Sequence, residues 1–228
     1  MKKENIQHIK FAVLAVDTVV FTIRDGNLLV RLVNVNRPPH FENILGIPGG
    51  LIRPEETAEE TAKRMIEDKA GIRPSVVHTE QLYTFSKINR DPRGRVVAVA
   101  YLGLVSWDEL STSEREDSAD VRWVSVLEVP KLAYDHNEVL SVARARLESR
   151  VTYTTLIQKV LPEEFTLTEL ENAYEVIIGE DVDKRNFRKK MGKLGLLKDT
   201  GHERRGEAHR PAKLYSFINK RVEPMNIM

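Results

Sequence analysis

Residues 49 to 72, GGLIRPEETAEETAKRMIEDKAGI, have the spacing of a loop and a helix that could hold metal ions beside a diphosphate. Gly50 is followed after five residues by Glu56, and Glu56 is followed after seven residues by Arg64. Carboxylates at the first, fourth and fifth places after Arg64 would share one helix face, because residues three and four apart are neighbours there. Mg²⁺ prefers oxygen ligands, so such a cluster would position a metal ion and activate water at a diphosphate.

Those three places are occupied by Met65, Asp68 and Lys69. Methionine is a poor ligand for Mg²⁺, and Lys69 brings a positive charge to a place where this chemistry needs a negative one. Glu56 and Arg64 are expected to form an ion pair that pins the loop to its helix. We therefore assign no catalytic residue and no metal site. The remnant of the pattern is Gly50, Glu56, Arg64 and Asp68, of which Glu56 and Asp68 alone could still bind a metal ion.

Strands and helices are mixed over the residues that surround this loop. Two strand-like runs, 11–24 and 28–35, flank Asp25-Gly26-Asn27, which is typical of a hairpin turn. A helix is predicted over 57–70, where apolar residues recur at helical spacing. Further elements are predicted as strands over 76–85, 95–105 and 121–126 and as a helix over 138–150. The mixture indicates an α/β domain over residues 1–149.

Cationic side chains on the predicted loops of this domain could bind phosphates. Arginine pairs bidentately with phosphate oxygens, and the ammonium group of Lys69 could neutralise a phosphate in the place of a metal ion. The predicted effector-binding residues are Arg37, Arg53, Lys69, Arg90, Arg93 and Arg95.

Charge is unevenly placed in the last third of the chain, although the formal net charge is only +1. Residues 163–183 contain eight acidic residues and no Lys or Arg, whereas residues 184–221 contain thirteen basic residues and three acidic ones. A one-sided basic surface is typical of proteins that bind phosphate backbones. The alternative is a charged face that is merely solvated.

Residues 150–228 are predicted to form a second domain of short helices. A first helix is predicted over 152–161. Thr166 and Glu169 are spaced as an N-cap residue and its capping-box partner. A second helix is therefore predicted to start there and to end at Gly179.

A third helix, KRNFRKKMGKLG, follows the N-cap residue Asp183, with an apolar stripe at Phe187, Met191 and Leu194. Beyond it, two apolar segments flank the polar stretch DTGHERRGEAHR, which is typical of a two-stranded ribbon with a basic tip. Helix, helix, turn, helix and ribbon is the plan of a winged helix-turn-helix, in which the recognition helix enters the major groove.

The basic residues of the third helix and of the ribbon are candidates for DNA contacts. Arg and Asn on a helix in the major groove read bases, whereas Lys and wing residues mostly contact phosphates. Arg188 is a candidate base reader, and a basic protein-interaction domain is the alternative function. The predicted DNA-binding residues are Lys184, Arg185, Asn186, Arg188, Lys189 and Lys193 on the helix and Arg204, Arg205 and Arg210 on the ribbon.

The intervals between Gly50, Glu56 and Arg64 resemble the Nudix box, and the whole chain resembles the family of Nudix-related transcriptional regulators named NrtR. Residues 183–189 and 210–215 look like the helix and wing-strand motifs of that family. The resemblance implies a Nudix-type α/β/α sandwich with a mixed sheet, followed by a small winged helix-turn-helix domain. It also implies a homodimeric bacterial repressor of NAD biosynthesis or salvage genes, released from a palindromic operator in double-stranded DNA by ADP-ribose.

Other functions remain open on the sequence. A hydrolase of ADP-ribose or a related compound would need Mg²⁺, whereas a regulator needs no cofactor. Related regulators respond to pentose sugars such as arabinose, so the effector is ADP-ribose or a sugar. A small-molecule-binding adaptor without DNA binding is a third possibility.

Composition restricts the class of protein. The chain has no cysteine, which excludes disulfides, thiolate metal sites and cysteine nucleophiles. No apolar run approaches the roughly 20 residues that a membrane helix needs, and the first ten residues lack the hydrophobic segment of a signal peptide. We expect a cytoplasmic protein that contacts no membrane.

Overall fold

The computed structural model of the protein describes residues 11–206 and 209–225. These residues form an α/β unit followed by helices and a two-stranded ribbon, in the order that the sequence predicts. Within these two ranges, no helix is both long enough and apolar enough to cross a membrane.

The first two strands, β1 (Val13–Arg24) and β2 (Asn27–Arg37), form an antiparallel hairpin. The turn between them places Asp25 at φ 49° and Gly26 at φ 72°. A hairpin turn of type I′ needs left-handed conformations at both of its central residues, and Asp and Gly tolerate this backbone better than most residue types. The predicted hairpin is confirmed.

Five further strands complete a mixed sheet. They are β3 (Phe41–Gly46), β4 (Gly49–Leu51), β5 (His78–Phe85), β6 (Val96–Leu104) and β7 (Val121–Ser125). The strand order is β3-β2-β1-β6-β5, with β4 paired to β1 and β7 paired to β2. The β1–β6 pair is parallel, whereas β1–β2, β2–β3 and β5–β6 are antiparallel. The strand β4 has no counterpart among the predicted elements, because Gly-Gly-Leu carries no strand pattern.

Helices cover both faces of this sheet. They are α1 (Ala58–Asp68), the short α2 (Thr112–Arg115) and α3 (His136–Tyr153). Side chains alternate along β1 because successive residues of a strand point to opposite faces. Val16 and Val20 belong to the clusters formed with α1, whereas Val19 and Phe21 belong to the cluster formed with α3. The predicted helices over 57–70 and 138–150 are confirmed, and they make the first part of the chain a sandwich.

The two strands of the hairpin diverge away from their turn. The strand β1 pairs with β2 only from Phe21 to Arg24, and nearer its start it pairs with β4, with Ala15 opposite Leu51. The strand β2 continues against β7 and then β3. The divergence leaves an opening beside β1 that the sequence pattern did not reveal.

Beyond α3 the chain forms a short 3-10 helix, two α-helices and a ribbon. They are the 3-10 helix Thr155–Lys159, α4 (Leu167–Ile178), α5 (Lys184–Leu194), β8 (Leu197–Gly206) and β9 (His209–Phe217). The predicted helix over 152–161 is wrong, because Thr154 is extended at φ −141° and ψ 161° and separates α3 from the 3-10 helix. The Thr154 hydroxyl accepts a hydrogen bond from the N–H of Leu156, which starts the new turn.

The predicted ends of α4 and α5 are confirmed. Thr166 and Glu169 form a reciprocal capping box at the start of α4, and the Asp183 side chain accepts a backbone N–H at the start of α5. Gly179 and Gly195 follow these helices with φ of 77° and 63°, a conformation that glycine adopts without strain. These short local signals define the helices without reference to the rest of the chain.

The C-terminal elements pack directly on the first domain. One apolar cluster contains Phe21 of β1, Leu147 of α3 and Tyr174 of α4. The hydroxyl of Tyr174 also donates a hydrogen bond of 3.0 Å to the carbonyl of Val151 in α3. The domain boundary predicted at residues 149–150 falls within α3, so this helix belongs to both parts of the chain.

The substitution Ile177→Ala in α4 is expected to destabilise the first domain as well as the second, because Ile177 is buried in the shared cluster. Truncation of a buried isoleucine to alanine costs about 2–5 kcal/mol. Both tryptophans, Trp107 and Trp123, lie in the first domain. The urea midpoint followed by tryptophan fluorescence should therefore fall together with the midpoint followed by far-UV circular dichroism.

Asn172→Ala, at an exposed position of the same helix, is the control and should lower neither midpoint. An unmoved fluorescence midpoint together with a separate, earlier transition in circular dichroism would show that the two domains unfold independently.

Candidate effector pocket and nucleic-acid interface

A cavity of about 730 Å³ opens where β1 and β2 diverge. Its lining comes from β1, β2, β4, the end of α1 and three loops that include residues 90–93, 118–121 and 134–136. Small-molecule sites usually have volumes of about 300–1,000 Å³. The cavity is therefore large enough for a ligand of nucleotide size.

The loop before α1 is held to the helix by an ion pair. Each oxygen of the Glu56 carboxylate accepts a hydrogen bond of 2.6 Å from the Arg64 guanidinium group, and the Thr61 hydroxyl donates another to Glu56 at 2.9 Å. The hydrogen bonds from Arg64 lower the pKa of Glu56 from 4.5 to about 2. Arg64 also donates to the carbonyl of Leu51 at 3.1 Å. The ion pair predicted between Glu56 and Arg64 therefore fixes the loop that borders the cavity.

The helix side chains beside this loop do not fit a Mg²⁺ site. Met65 is buried, and a Cβ atom added to Gly50 would lie only 2.6 Å from its sulfur. The Lys69 ammonium group donates a hydrogen bond to the carbonyl of Gly49, so Lys69 itself supplies a positive charge beside this loop. Asp68 is exposed, and a single carboxylate beside a thioether and an ammonium group is a poor donor set for a hard cation. No group of three His, Cys, Asp or Glu residues in the described ranges has the arrangement of a metal site.

A buried ion-pair network borders the cavity on the side of β1. Arg90 donates to Asp17 at 2.8 Å and to both oxygens of Asp135 at 2.7 and 2.9 Å. His136 accepts the N–H of Ile47 at its Nδ1 atom, 2.9 Å away, so its Nε2 atom faces Asp17 at 3.6 Å. Burial alone would raise the pKa of Asp17, but the interactions with His136 and Arg90 hold this pKa below its ordinary value. The network joins β1 to the start of α3.

Two aromatic rings lie near this network: Tyr134 lines the cavity, and Phe41, which is not among the lining residues, packs against Tyr134. Phe41 and Tyr134 pack with ring centroids 4.4 Å apart, and the guanidinium group of Arg93 lies 5.3 Å from the Tyr134 ring centroid. Arg93 is held in turn by Asp91 through contacts of 2.7 to 3.3 Å. Arg37 donates to the carbonyl of its neighbour Asn36. The rim therefore combines flat apolar surfaces with two cations, a combination that suits a base or sugar joined to phosphate.

The structure brings together four of the six predicted effector-binding residues. Arg37, Lys69, Arg90 and Arg93 line the cavity. Arg53 and Arg95 are not among its lining residues: Arg53 pairs with Glu56 at 3.4 Å, and Arg95 donates to two backbone carbonyls.

Sequence reasoning missed several residues of the cavity. They are Asp17, Phe41, Tyr134, Asp135 and His136, which line the cavity or hold its lining residues. Asp17 did have a signal, because it is the one carboxylate within the apolar strand FAVLAVDTVVF, and a buried carboxylate needs a partner. Phe41 and Tyr134 had none, since only the fold brings them together.

The α5 helix presents an apolar side to α4 and a basic side to solvent. Phe187 and Met191 are buried, and the Phe187 ring meets the edge of Tyr174 with centroids 4.9 Å apart. Five predicted DNA-binding residues of α5 are exposed, and their side chains form no hydrogen bond within the described ranges. They are Lys184, Arg185, Asn186, Lys189 and Lys193. This side of α5 is available to a polyanion.

Arg188, the candidate base reader, is bound within the protein. Its guanidinium group makes a two-pronged ion pair with the fully buried carboxylate of Glu171 in α4, with one contact at 3.0 Å, and it also donates to Thr168 at 3.3 Å. This pairing neutralises a buried charge that would otherwise be costly. In the structure Arg188 fixes α5 against α4, and its contact with a base stays a prediction.

The predicted wing residues divide in a similar way. Arg204 pairs with the capping residue Glu169 and donates to the carbonyl of Glu164 at 3.2 Å. It therefore points back toward the start of α4 rather than away from the ribbon. The side chains of Arg205 and Arg210 lie outside the described part of the chain.

Comparisons with known proteins agree with this arrangement. The chain matches the model of the NUDIX domain over residues 13–143 and the model of the NrtR DNA-binding winged helix domain over residues 157–217. It is 32% identical to the ADPR responsive transcriptional repressor NtrR of Acinetobacter baylyi over 208 residues, which cover 90% of this chain and 81% of that protein.

Two solved structures are also similar. The NrtR of Shewanella oneidensis complexed with a 27mer DNA is 37% identical, with a TM-score of 0.78 over 90% of this chain and 93% of that one. The NUDIX domain of the same regulator, complexed with ADP ribose, is 34% identical, with a TM-score of 0.52 over 63% of this chain and 94% of that one.

The Glu56–Arg64 pair predicts a change in acid stability. A carboxylate whose pKa is lowered on folding contributes stability that is fully present above its unfolded pKa and is lost as the pH falls through its folded pKa. For Glu56 this window runs from 4.5 down to about 2. Glu56→Gln should therefore be less stable than the original chain at neutral pH and should lose stability less steeply within the window, as measured by urea unfolding.

Glu55→Gln is the matched control, because Glu55 is an exposed carboxylate on the same loop. The free energy of unfolding of this variant should match that of the unsubstituted protein at every pH. Equal slopes for Glu56→Gln and the original chain would contradict the contribution assigned to this ion pair.

Proposed function

The chain belongs to the NrtR family of transcriptional regulators, and from this premise we propose that it is a DNA-binding repressor whose cavity binds ADP-ribose. The observation that carries the proposal is the cavity itself, which has Lys69 and, behind Gly50, the buried Met65 at two of the three places where a hydrolase of this fold needs metal-binding carboxylates. A binding site needs only to complement the ground state of its ligand, whereas a catalytic site must stabilise a transition state. NAD metabolism genes are the proposed targets, and the cytoplasm, where DNA is accessible, is the proposed compartment.

The diphosphate of ADP-ribose is proposed to lie between Lys69, Arg37 and Arg93. Lys69 is half-buried, and both its burial and the nearby charge of Arg37 lower its pKa. An incoming diphosphate would relieve this crowding of positive charge, which favours an anion over a neutral sugar. The Phe41 and Tyr134 rings offer a surface for the adenine or a ribose.

DNA is proposed to bind along the exposed basic side of α5. A winged helix places this helix in the major groove, and a homodimer would place two of them roughly 34 Å apart on a palindromic operator. The exposed cations supply phosphate contacts, while Arg185 and Asn186 have the chemistry to read guanine and adenine.

The two sites are proposed to communicate through α3. Asp135 and His136, at its start, belong to the network that contains the cavity residue Arg90. Val151, near its end, accepts the hydrogen bond from Tyr174 of the DNA-binding part. A ligand that binds near Arg90 could shift this helix, but only to the extent that the ligand prefers one arrangement of the two domains.

A mobility-shift experiment with labelled DNA from upstream of the chain's own operon tests the proposed function. We expect a specific complex at moderate salt, resistant to competitor DNA of unrelated sequence, and its dissociation on addition of ADP-ribose. No specific binding would contradict the repressor function, and binding that is insensitive to ADP-ribose would contradict the effector. Arabinose and other pentoses serve as the neutral-sugar arm.

Recovery of ADP-ribose after incubation with the protein and Mg²⁺ or Mn²⁺ tests the hydrolase alternative in the same samples. We expect intact ADP-ribose. Turnover that is abolished by Asp68→Ala would support a hydrolase instead.

The substitution Lys69→Gln is expected to weaken ADP-ribose binding while operator binding without ligand is retained. A hydrogen bond to a charged group contributes about 1.5–3 kcal/mol, so the dissociation constant measured by calorimetry should rise by about tenfold or more. The operator complex of this variant should then need correspondingly more ADP-ribose for release.

Lys63→Gln is the matched control on the same helix, because Lys63 pairs with Glu59 at 2.7 Å and does not line the cavity. It should bind ADP-ribose like the original chain. Equal affinities for Lys69→Gln and Lys63→Gln would remove Lys69 from the binding site.

A further inference from the structure

The structure describes the side-chain surroundings of eleven glycines, and all but one of these have a recognisable structural reason. Six of them have a positive φ, which side chains rarely adopt: Gly26, Gly71, Gly94, Gly179, Gly195 and Gly201. At four others a Cβ atom would lie within 3.1 Å of a neighbouring atom: Gly46, Gly49, Gly50 and Gly103. Gly192 has neither reason, since its φ is not positive and no atom lies within 4 Å of the place where its Cβ atom would be.

Gly192 lies inside α5, where glycine is an unfavourable choice. Glycine is a poorer helix former than alanine because it loses more backbone freedom on folding. The residue is exposed and within the span Lys184–Leu194. The folded chain would accommodate an alanine here and would gain stability from it, so folding does not explain the glycine.

The position of Gly192 on α5 indicates why this residue is a glycine. The buried stripe of α5 follows the spacing i, i+4, i+7 through Phe187, Met191 and Leu194. The same spacing on the opposite side passes through Arg185, Lys189 and Gly192, because each residue advances the helix by about 100°. Two long cations and one bare stretch of backbone therefore form the outward stripe.

We propose that Gly192 is the point where the backbone of α5 comes closest to the DNA in the major groove. The inference rests on the proposed function and names the part of the helix that must carry no side chain. The groove is about 12 Å wide, and a helix with its side chains is about 10–12 Å across, so little clearance remains. The absence of a side chain at Gly192 lets the backbone of α5 approach the DNA, while the longer side chains of Lys189 and Arg185 on the same stripe extend into the groove.

The test compares stability and operator affinity in the full-length chain. Gly192→Ala should raise the thermal midpoint by about one degree or more. It should also raise the dissociation constant for the operator duplex, measured by fluorescence anisotropy, by about fivefold or more, since a methyl group forced into a close-packed contact is costly. Gly192→Leu should weaken operator binding further.

Ser141→Ala on α3 is the control for a gain in helix stability alone, because Ser141 is exposed and takes part neither in the network of Asp135 and His136 nor in the contact of Val151 with Tyr174. It should raise the thermal midpoint without changing operator affinity. If Gly192 had a purely structural role, Gly192→Ala would not raise the thermal midpoint and weaken operator binding at the same time.

Two results would overturn the inference and leave the proposed function standing. One is a Gly192→Ala variant that is more stable and binds the operator as well as the original chain does. The other is a Gly192→Ala variant that is less stable, since the space around the residue would then not be open. If the original chain itself binds no DNA specifically, the proposed function fails and the inference fails with it.

Discussion

The arrangement of the first domain depends on the ion pairs that the buried guanidinium group of Arg90 forms. This group bridges Asp17, in the central strand, and Asp135, at the start of α3. Burial lowers the pKa of Arg90, but the two carboxylates more than offset this effect. A buried charge without its partner costs several kcal/mol, so the three groups must stay together. The strand, the loop of Arg90 and the start of α3 are therefore held in one arrangement around the cavity.

The loop before α1 keeps its shape without the metal-binding face of the helix. In its place, Met65 fills the space under Gly50, and the ammonium group of Lys69 binds the carbonyl of Gly49. An ammonium group supplies positive charge as a metal ion does, but it cannot lower the pKa of a bound water as a metal ion can. The proposed diphosphate site therefore has a fixed ammonium group where the hydrolase alternative would need a metal ion.

The sequence predicts the local features of the fold better than the contacts between distant segments. The Thr166–Glu169 capping box and the turn at Gly26 depend on a few neighbouring residues, so their signals are complete in the sequence. The divergence of β2 from β1 depends on the insertion of β4, whose three residues carry no pattern of their own. Arg90 was predicted as an effector-binding residue, but its two acidic partners are 73 and 45 residues away in the chain. The sequence shows which residues are cationic, whereas the fold determines which carboxylate each of them pairs with.

The acidic stretch before α5 shows why a count of basic residues overstates the charge that DNA would meet. Glu171 binds Arg188, Glu169 binds Arg204, and Glu163 binds Lys220. The first two pairs join α5 and the ribbon to the region of α4, so Arg188 and Arg204 serve the geometry of the domain first, whereas the Glu163–Lys220 pair is exposed on the surface. Because the salt dependence of DNA binding reflects the number of phosphates that a protein neutralises, the unpaired cations should determine it. A smaller set of free charges on a firmly held helix favours recognition by shape and by base contacts over attraction to any polyanion.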